Sequence, residues 1–316
     1  MMMTGLDERL DIRYIKLHFL ARFTEDTILP KYKASGLRGG MGEMLLRSNC
    51  IRDRKCDFCD FESECIVRRT MYSKFDTVKP AFITTGDSSG YVLSCENYET
   101  EFEAGDTLPF QLTLFGKTIV YFNLYMQALF ALGQQGLGKN RGHFEIVSVT
   151  NSEKVPILKD GRNLYMENYR VCTVKDYVEY RMKNSGLVGH TKAVMKFQSP
   201  LALKYNGEML EDFAMIPVIE SVMRRIFILD CFENHDLPML SCPEELIPRI
   251  TESFVRRVSV PRYSSRQDTK MVFDGINGEA VIEELSDEIL PVLFAGEILH
   301  IGKNTSFGFG RYRLLP

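Results

Sequence analysis

The sequence predicts an α+β protein of two tandem ferredoxin-like (RRM-like) modules, each with a glycine-rich loop, and a four-cysteine insert in the first. Three observations carry this. Apolar residues alternate with polar ones early in each half, at Ile15, Leu17, Phe19 and Ala21 and again at Ala193, Met195 and Phe197, the period of a half-buried strand. Gly-Lys-Asn occurs twice, at 138–140 and 302–304, each time after an amphipathic helical stretch and before a short strand-like run. A length of 316 residues suits about two domains.

The first module is assigned to residues 1–150. Its opening strand runs through 15–21. Ser35-Gly36-Leu37-Arg38-Gly39-Gly40-Met41-Gly42 then reads as a loop leading into a helix at 43–47. A cysteine-rich insert occupies 50–65, and turn-rich residues continue to Gly90. Residues 91–94 and 109–115 read as strands. Tyr121, Leu124, Tyr125, Ala128, Leu129 and Leu132 recur at i, i+3, i+4 and mark a helix packing on them. A strand at 143–149 completes a β-α-β-β-α-β order. Residues 151–189 are polar and irregular and read as a connector.

The second module, 190–316, repeats the order. After its first strand, Ile216, Ile219, Met223 and Ile226 mark a helix. Residues 254–260 and 279–282 read as strands joined by a basic stretch. A helix runs from Pro291, a favoured first-turn residue, to Leu299, before the second glycine loop and a last strand.

The net charge of −3 does not by itself mark a nucleic-acid binder. Local charge matters more than the sum. Arg249, Arg256, Arg257, Arg262, Arg266 and Lys270 face only Glu252 and Asp268 in their stretch. The polar start Met1-Met-Met-Thr-Gly-Leu-Asp-Glu has no signal-peptide core. The longest apolar run, 118–132, contains Asn123 and Gln127 and falls short of the ~20 residues that span a bilayer. These features point to a cytoplasmic protein, with no membrane association, whose eight cysteines stay reduced.

The C-terminal segment His300-Ile-Gly-Lys-Asn-Thr-Ser-Phe-Gly-Phe-Gly-Arg-Tyr312 is the richest in chemistry. Gly302, Gly308 and Gly310 let a backbone approach a bulky ligand. Lys303, Arg311 and Arg313 add charge, and Phe307, Phe309 and Tyr312 add π-faces. Glycine, cation and aromatic interleaved suit a nucleic acid. The first loop offers Lys139, Arg141 and His143 for the same purpose. Its Gly133-x4-Gly138-Lys139 nearly spells a nucleotide-binding loop. However, Asn140 replaces the Mg²⁺-ligating Ser or Thr and a helix precedes it, so nucleotide hydrolysis is rejected. In Arg262-Tyr263-Ser264-Ser265-Arg266, the two arginines suit bidentate phosphate contacts and Tyr263 suits stacking or proton donation. Arg38 is a phosphate candidate at a helix start, or an ordinary solvated arginine.

Cys50, Cys56, Cys59 and Cys65 lie within sixteen positions around a C-x2-C. In a reducing cytosol this suggests a closed structural zinc site; an iron–sulfur cluster and scattered buried thiols are the competing readings. Of the five histidines, His18 reads as structural, and His190 and His235 read as surface. His143 reads as an RNA contact. His300 stands where a helix end meets the glycine loop, which suits an acid or phosphate contact; a core or capping histidine competes.

The segment 37–42, the cysteine insert, Gly136 to Phe144, Arg262 to Gln267 and His300 to Tyr312 together resemble the RAMP superfamily of CRISPR-associated RNA-binding proteins. Within it, they resemble the precursor-crRNA-processing endoribonucleases of the Cas-six family. The resemblance implies binding to CRISPR repeat RNA and a metal-independent cut in which the repeat's own 2′-hydroxyl attacks the adjacent phosphate, leaving a cyclic phosphate and a 5′-hydroxyl. It implies no catalytic cofactor, and association with subunits of a CRISPR effector complex. Family members that use a histidine base often carry it near the first helix of the first module, yet residues 36–50 contain none. The identity of the base is thus left open; His300, Lys303 and Tyr263 are assigned to the cut, Lys303 either stabilising charge on the scissile phosphate or only positioning it. RNA binding is assigned to Arg38, Lys139, Arg141, His143, Arg262, Ser264, Arg266, Gly302, Gly308, Gly310 and Arg311. Two other readings remain open: a non-catalytic RAMP subunit holding guide RNA, and a zinc-stabilised module binding other single-stranded RNA.

Overall fold

The computed structural model describes residues 5–52, 56, 59–72, 90–233, 238–264 and 269–316, with backbone only at Tyr72, Tyr263 and Ser264. The chain divides into two compact units, one of Ile15–Val171 with Ser264–Thr269, the other of Met1–Tyr14, Cys172–Tyr263 and Lys270–Pro316.

In the first unit, β1 (Arg13–Phe23) buries Ile15, Leu17, Phe19, Ala21 and Phe23, as its alternation predicts. Helix α1 (Ala34–Asn49) follows, then α2 (Ile66–Tyr72), β2 (Tyr91–Ser94), β3 (Thr107–Phe115), α3 (Phe122–Gln135) and β4 (Phe144–Thr150). The sheet order β2-β3-β1-β4 places the first strand between the third and fourth of the unit. Two more strands, β5 (Pro156–Lys159) and β6 (Asn163–Leu164), extend the sheet beyond β4. Aromatic packing closes the core, with Phe19 stacked on Phe110 at 4.9 Å and Phe23 against Phe144 at 6.1 Å.

Helix α1 corrects the expected glycine loop. Gly36, Gly39, Gly40 and Gly42 lie inside it, and it begins at Ala34 rather than Glu43. The physical reason is close packing. A Cβ on Gly40 would overlap the Leu132 side chain on α3, and one on Gly42 would lie 2.7 Å from Met71 Cε on α2. These glycines seat three helices together, so their cost in helix propensity is offset by packing.

The second unit includes residues assigned by sequence to the first module and the connector. Arg13 and Tyr14 pair with β7 (Cys172–Thr173), and Arg9 Nη1 reaches Asp230 at 2.6 Å. Helix α4 (Val174–Asn184) starts at a capping box in which Thr173 Oγ1 accepts from Asp176 N. With β5, β6 and α4 in it, the 151–189 stretch is structured on both sides of the unit boundary rather than a plain connector. Then come β8 (Lys192–Phe197), α5 (Met215–Phe232), β9 (Arg249–Ser264), β10 (Thr269–Glu283), α6 (Leu290–Leu299) and β11 (Tyr312–Leu315). The sheet order β9-β10-β8-β11 matches that of the first unit strand for strand.

Two expectations shift here. Ile216 is exposed, and α5 instead buries Ile219, Val222, Met223, Ile226 and Leu229. The described residues of the basic stretch are strand, because β9 and β10 extend to Ser264 and from Thr269. A hairpin partner satisfies the backbone, so exposed Arg256 and Arg257 are tolerated on β9.

Candidate nucleic-acid interface

The C-terminal loop leaves α6 through His300, whose N–H reaches Gly296 O at 3.1 Å and whose φ is +56°. The backbone is then pinned at each step. Gly302 N donates to Ser221 Oγ at 2.8 Å, Lys303 N to Ala202 O at 2.6 Å, and Gly310 N to Pro200 O at 2.8 Å. Ile301 N donates to Gly310 O at 3.0 Å and closes the loop on itself.

The loop glycines serve this path. A Cβ on Gly302 (φ +79°) would sit 2.5 Å from Ala202 O, and one on Gly310 (φ +73°) would overlap Ile301 O. Gly308 (φ +80°) ends the turn Thr305–Phe307. What approaches Gly302 and Gly310 this closely is the protein's own backbone.

His300 is buried, at 5% exposure, and its Nδ1–H donates to Phe309 O at 3.1 Å. It caps the helix and braces the loop instead of facing solvent. Lys303, by contrast, is exposed. Arg262, on β9, lies with its guanidinium carbon 4.6 Å from the Phe307 ring centre and 5.0 Å from that of Phe273 on β10. Phe273 in turn meets Phe307 edge-on at 5.2 Å and Phe309 at 5.9 Å. Cation–π contact thus joins two sequence-predicted segments, the Arg262 stretch and the glycine loop. Phe273 is a member that sequence reasoning missed; it stands in an unremarkable strand with no motif around it. Arg266 and His235 lie outside the described residues, as do the side chains of Tyr263 and Ser264.

Behind the loop, Arg311 is half-buried, and burial, with a smaller push from Arg313, lowers its pKa to about 10. Arg313 Nη1 donates to Tyr177 Oη at 2.7 Å and Glu297 Oε2 at 3.0 Å. Arg181 holds both Glu297 oxygens, at 2.9 and 3.0 Å, and Leu314 N donates to Oε1 at 2.8 Å. Burial, and then the Glu297 charge, drive the Tyr177 pKa far upward. This buried network ties α4, α6 and β11 and fixes the strand that follows the loop.

In the first unit, the Gly136 to Phe144 loop is a tight turn. Leu137 and Gly142 exchange two backbone hydrogen bonds of 2.9 Å, with Gly136, Gly138 and Arg141 at positive φ. Gly142 abuts Thr27, whose Oγ1 donates to Asn140 Oδ1 at 3.1 Å. Lys139 and Arg141 are exposed. His143 Nδ1 lies 2.6 Å from Glu25 Oε1, and His143 N donates to the same oxygen at 2.9 Å. That backbone bond is the main reason the Glu25 pKa is lowered. Glu25 was not legible, since it stands 118 positions from its partner. Arg38 sits in the second turn of α1 with its Nε donating to Tyr91 Oη at 3.1 Å, so it is a partly buried helix residue rather than one at a helix start.

Among the described residues none of the four insert cysteines is in a disulfide. Cys59 N donates to Cys56 O at 3.2 Å, forming a turn, while Cys50 ends α1 and Cys65 precedes α2. Among the described residues no group of three or more His, Cys, Asp or Glu is placed to hold a metal ion, so the four thiols are not gathered into a ligand set. Among those residues, too, no helix is long and apolar enough to cross a membrane.

Two family models match the chain. AF_1859_N, an N-terminal domain, covers residues 12–171, and CRISPR-associated endoribonuclease Cas6 covers 195–312. An uncharacterized protein of Archaeoglobus fulgidus is 22% identical over 296 residues, which are 90% of this chain and 92% of that protein. Among solved structures, a partial Cas6-RT-Cas1–Cas2 complex aligns with a TM-score of 0.56 and 11% identity, covering 96% of this chain and 46% of that one. This chain therefore spans less than half the length of that protein. A Cas6 product complex aligns with a TM-score of 0.50 and 17% identity, covering 96% of this chain and all of the other. These likenesses establish a shared fold.

Proposed function

We propose that this chain, which belongs to the Cas6 family of CRISPR-associated endoribonucleases, binds CRISPR repeat RNA in the cytoplasm and cuts precursor crRNA without a catalytic metal. The attacking group is the 2′-hydroxyl beside the scissile phosphate, and the products are a cyclic phosphate and a 5′-hydroxyl. The two units act as tandem ferredoxin-like modules, each presenting a glycine-rich turn to RNA.

One observation carries the reading. Within the segment matched by the Cas6 model, Arg262 lies against both Phe273 and Phe307, and Phe307 shares a loop with exposed Lys303. Cations set among aromatic faces fit a phosphate backbone whose bases stack. Lys303 and Arg262 serve as phosphate contacts, continued along the chain by Tyr263, Ser264 and Arg266. Lys139 and Arg141 do the same in the first unit. His300, sealed against Phe309, acts by shaping the loop.

The buried His300 also favours a second reading, a RAMP subunit that holds guide RNA in an effector complex without cutting it. We propose in addition that Cys50, Cys56, Cys59 and Cys65 close around a structural zinc ion, the ion drawing the thiolates together. Incubating the purified chain with end-labelled repeat RNA separates the first two readings. A single cut in the repeat supports the nuclease; tight, salt-sensitive binding without a cut supports the subunit.

A further inference from the structure

The described histidines differ sharply in their freedom to move a proton. His300 is sealed in the core. The Nδ1 of His18 is taken by Lys154 Nζ at 3.1 Å. His190 is exposed at the end of a turn, and among the described residues no carboxylate is hydrogen-bonded to its ring. His143 alone among them combines an accessible ring, its side chain 51% exposed, with a carboxylate that orients it.

The orientation is built from both sides. Glu25 Oε1 accepts the His143 backbone N–H at 2.9 Å and lies 2.6 Å from Nδ1. Thr24 N donates to His143 O at 3.1 Å, so the Glu25 turn grips the residue at its backbone as well as its ring. With Nδ1–H directed at the carboxylate, the Nε2 lone pair is left for a ligand. A surface ion pair formed only for stability would gain little at this exposure. Exposed Lys139 and Arg141 precede it in the same turn, and Gly142 packs that turn onto Thr27.

We propose that Glu25 and His143 form the proton-transfer dyad for RNA cleavage, with His143 Nε2 as general base and Glu25 as its positioning residue. This rests on the nuclease reading above. Nε2 takes the proton of the 2′-hydroxyl as the 2′-oxygen bonds to phosphorus. The P–O5′ bond breaks, the leaving 5′-oxygen takes a proton from water, and the imidazolium later returns its own proton to solvent. Lys139 and Arg141 lie in the same turn to offset the charge that develops on the phosphate oxygens.

The test is single-turnover cutting of labelled repeat RNA by the full chain. His143→Ala slows the cut by roughly 10²–10⁴-fold, the usual worth of a placed base, while the RNA dissociation constant stays near wild type, and added imidazole restores part of the rate. His143→Asn keeps a donor for Glu25 and hence the turn, and is equally slow; this separates lost chemistry from lost folding. Glu25→Gln slows cutting by up to about 10⁴-fold, as loss of a carboxylate that orients a catalytic imidazole does, but adds nothing to His143→Ala, because the two act as one unit. Wild-type cutting by His143→Ala overturns the dyad. So does a slower cut matched by weaker binding and unrescued by imidazole, which would make His143 an RNA contact. A wild-type protein that binds the repeat and never cuts it refutes the nuclease reading, and the dyad falls with it.

Discussion

Replacing Gly310 with alanine attacks the C-terminal loop at its tightest point. Gly310 holds φ +73°, a region that costs a residue with a Cβ roughly 1–2 kcal/mol. The new methyl would lie 2.7 Å from the carbonyl carbon of Ile301 and 2.8 Å from its nitrogen, and would overlap the carbonyl oxygen. The two segments must part, which breaks the 3.0 Å Ile301 N–H to Gly310 O hydrogen bond at about 0.5–1.5 kcal/mol. The total, about 1.5–3.5 kcal/mol, lowers the thermal midpoint of a unit of this size by roughly 3–14 °C. Because the same loop carries Lys303 and Phe307, RNA affinity falls with it. Gly39→Ala is the internal contrast. Gly39 lies within α1 with nothing within 4 Å of a Cβ built on it, so alanine there stabilises by about 0.5–1 kcal/mol through helix propensity. Scanning calorimetry on the three proteins reads both signs. If Gly310→Ala melts with the wild type, the loop does not depend on glycine there and the reasoning is wrong.

Three further outcomes are expected. Glu297→Ala strands Arg181, whose side chain is 5% exposed, and destabilises the second unit by about 3–5 kcal/mol; a denaturant midpoint equal to wild type would show that the network is incidental. Replacing Lys139 and Arg141 together with alanine flattens the log–log salt dependence of RNA binding by about 1.4, or ~0.7 for each single-strand phosphate that the protein no longer neutralises; an unchanged slope places the phosphate path elsewhere. Protein prepared without chelator carries one zinc per chain, lost on Cys56→Ser with Cys59→Ser; elemental analysis finding no metal in the wild type rules the zinc proposal out.

Much of the fold was legible because it depends on local period. The alternation at Ile15 to Ala21 and at Ala193 to Phe197 marks strands that bury those residues. The repeated Gly-Lys-Asn marks two turns that precede β4 and β11, the corresponding strands of the two units. What sequence reasoning missed depends on partners far along the chain. Four glycines between 36 and 42 look like a loop until Leu132 packs against Gly40 and Met71 against Gly42 to seat a helix. The β9–β10 hairpin outruns its apolar core, because each strand satisfies the other's backbone where side chains carry charge. Glu25 and Phe273 became members of candidate sites only through the residues they touch. His300, singled out for its place beside Gly-Lys, is buried because a helix end with positive φ needs a brace there.

The central claim is that the RNA supplies its own nucleophile and that no metal ion takes part. Single-turnover cleavage in EDTA tests it most directly, using two repeat RNAs that differ only by a 2′-deoxy sugar at the nucleotide preceding the cut. One cut is expected in the all-ribose RNA, ending in a cyclic phosphate, with equal binding but no cut in the deoxy RNA. Cleavage of the deoxy RNA, or a cut in the all-ribose RNA that EDTA abolishes, would contradict it.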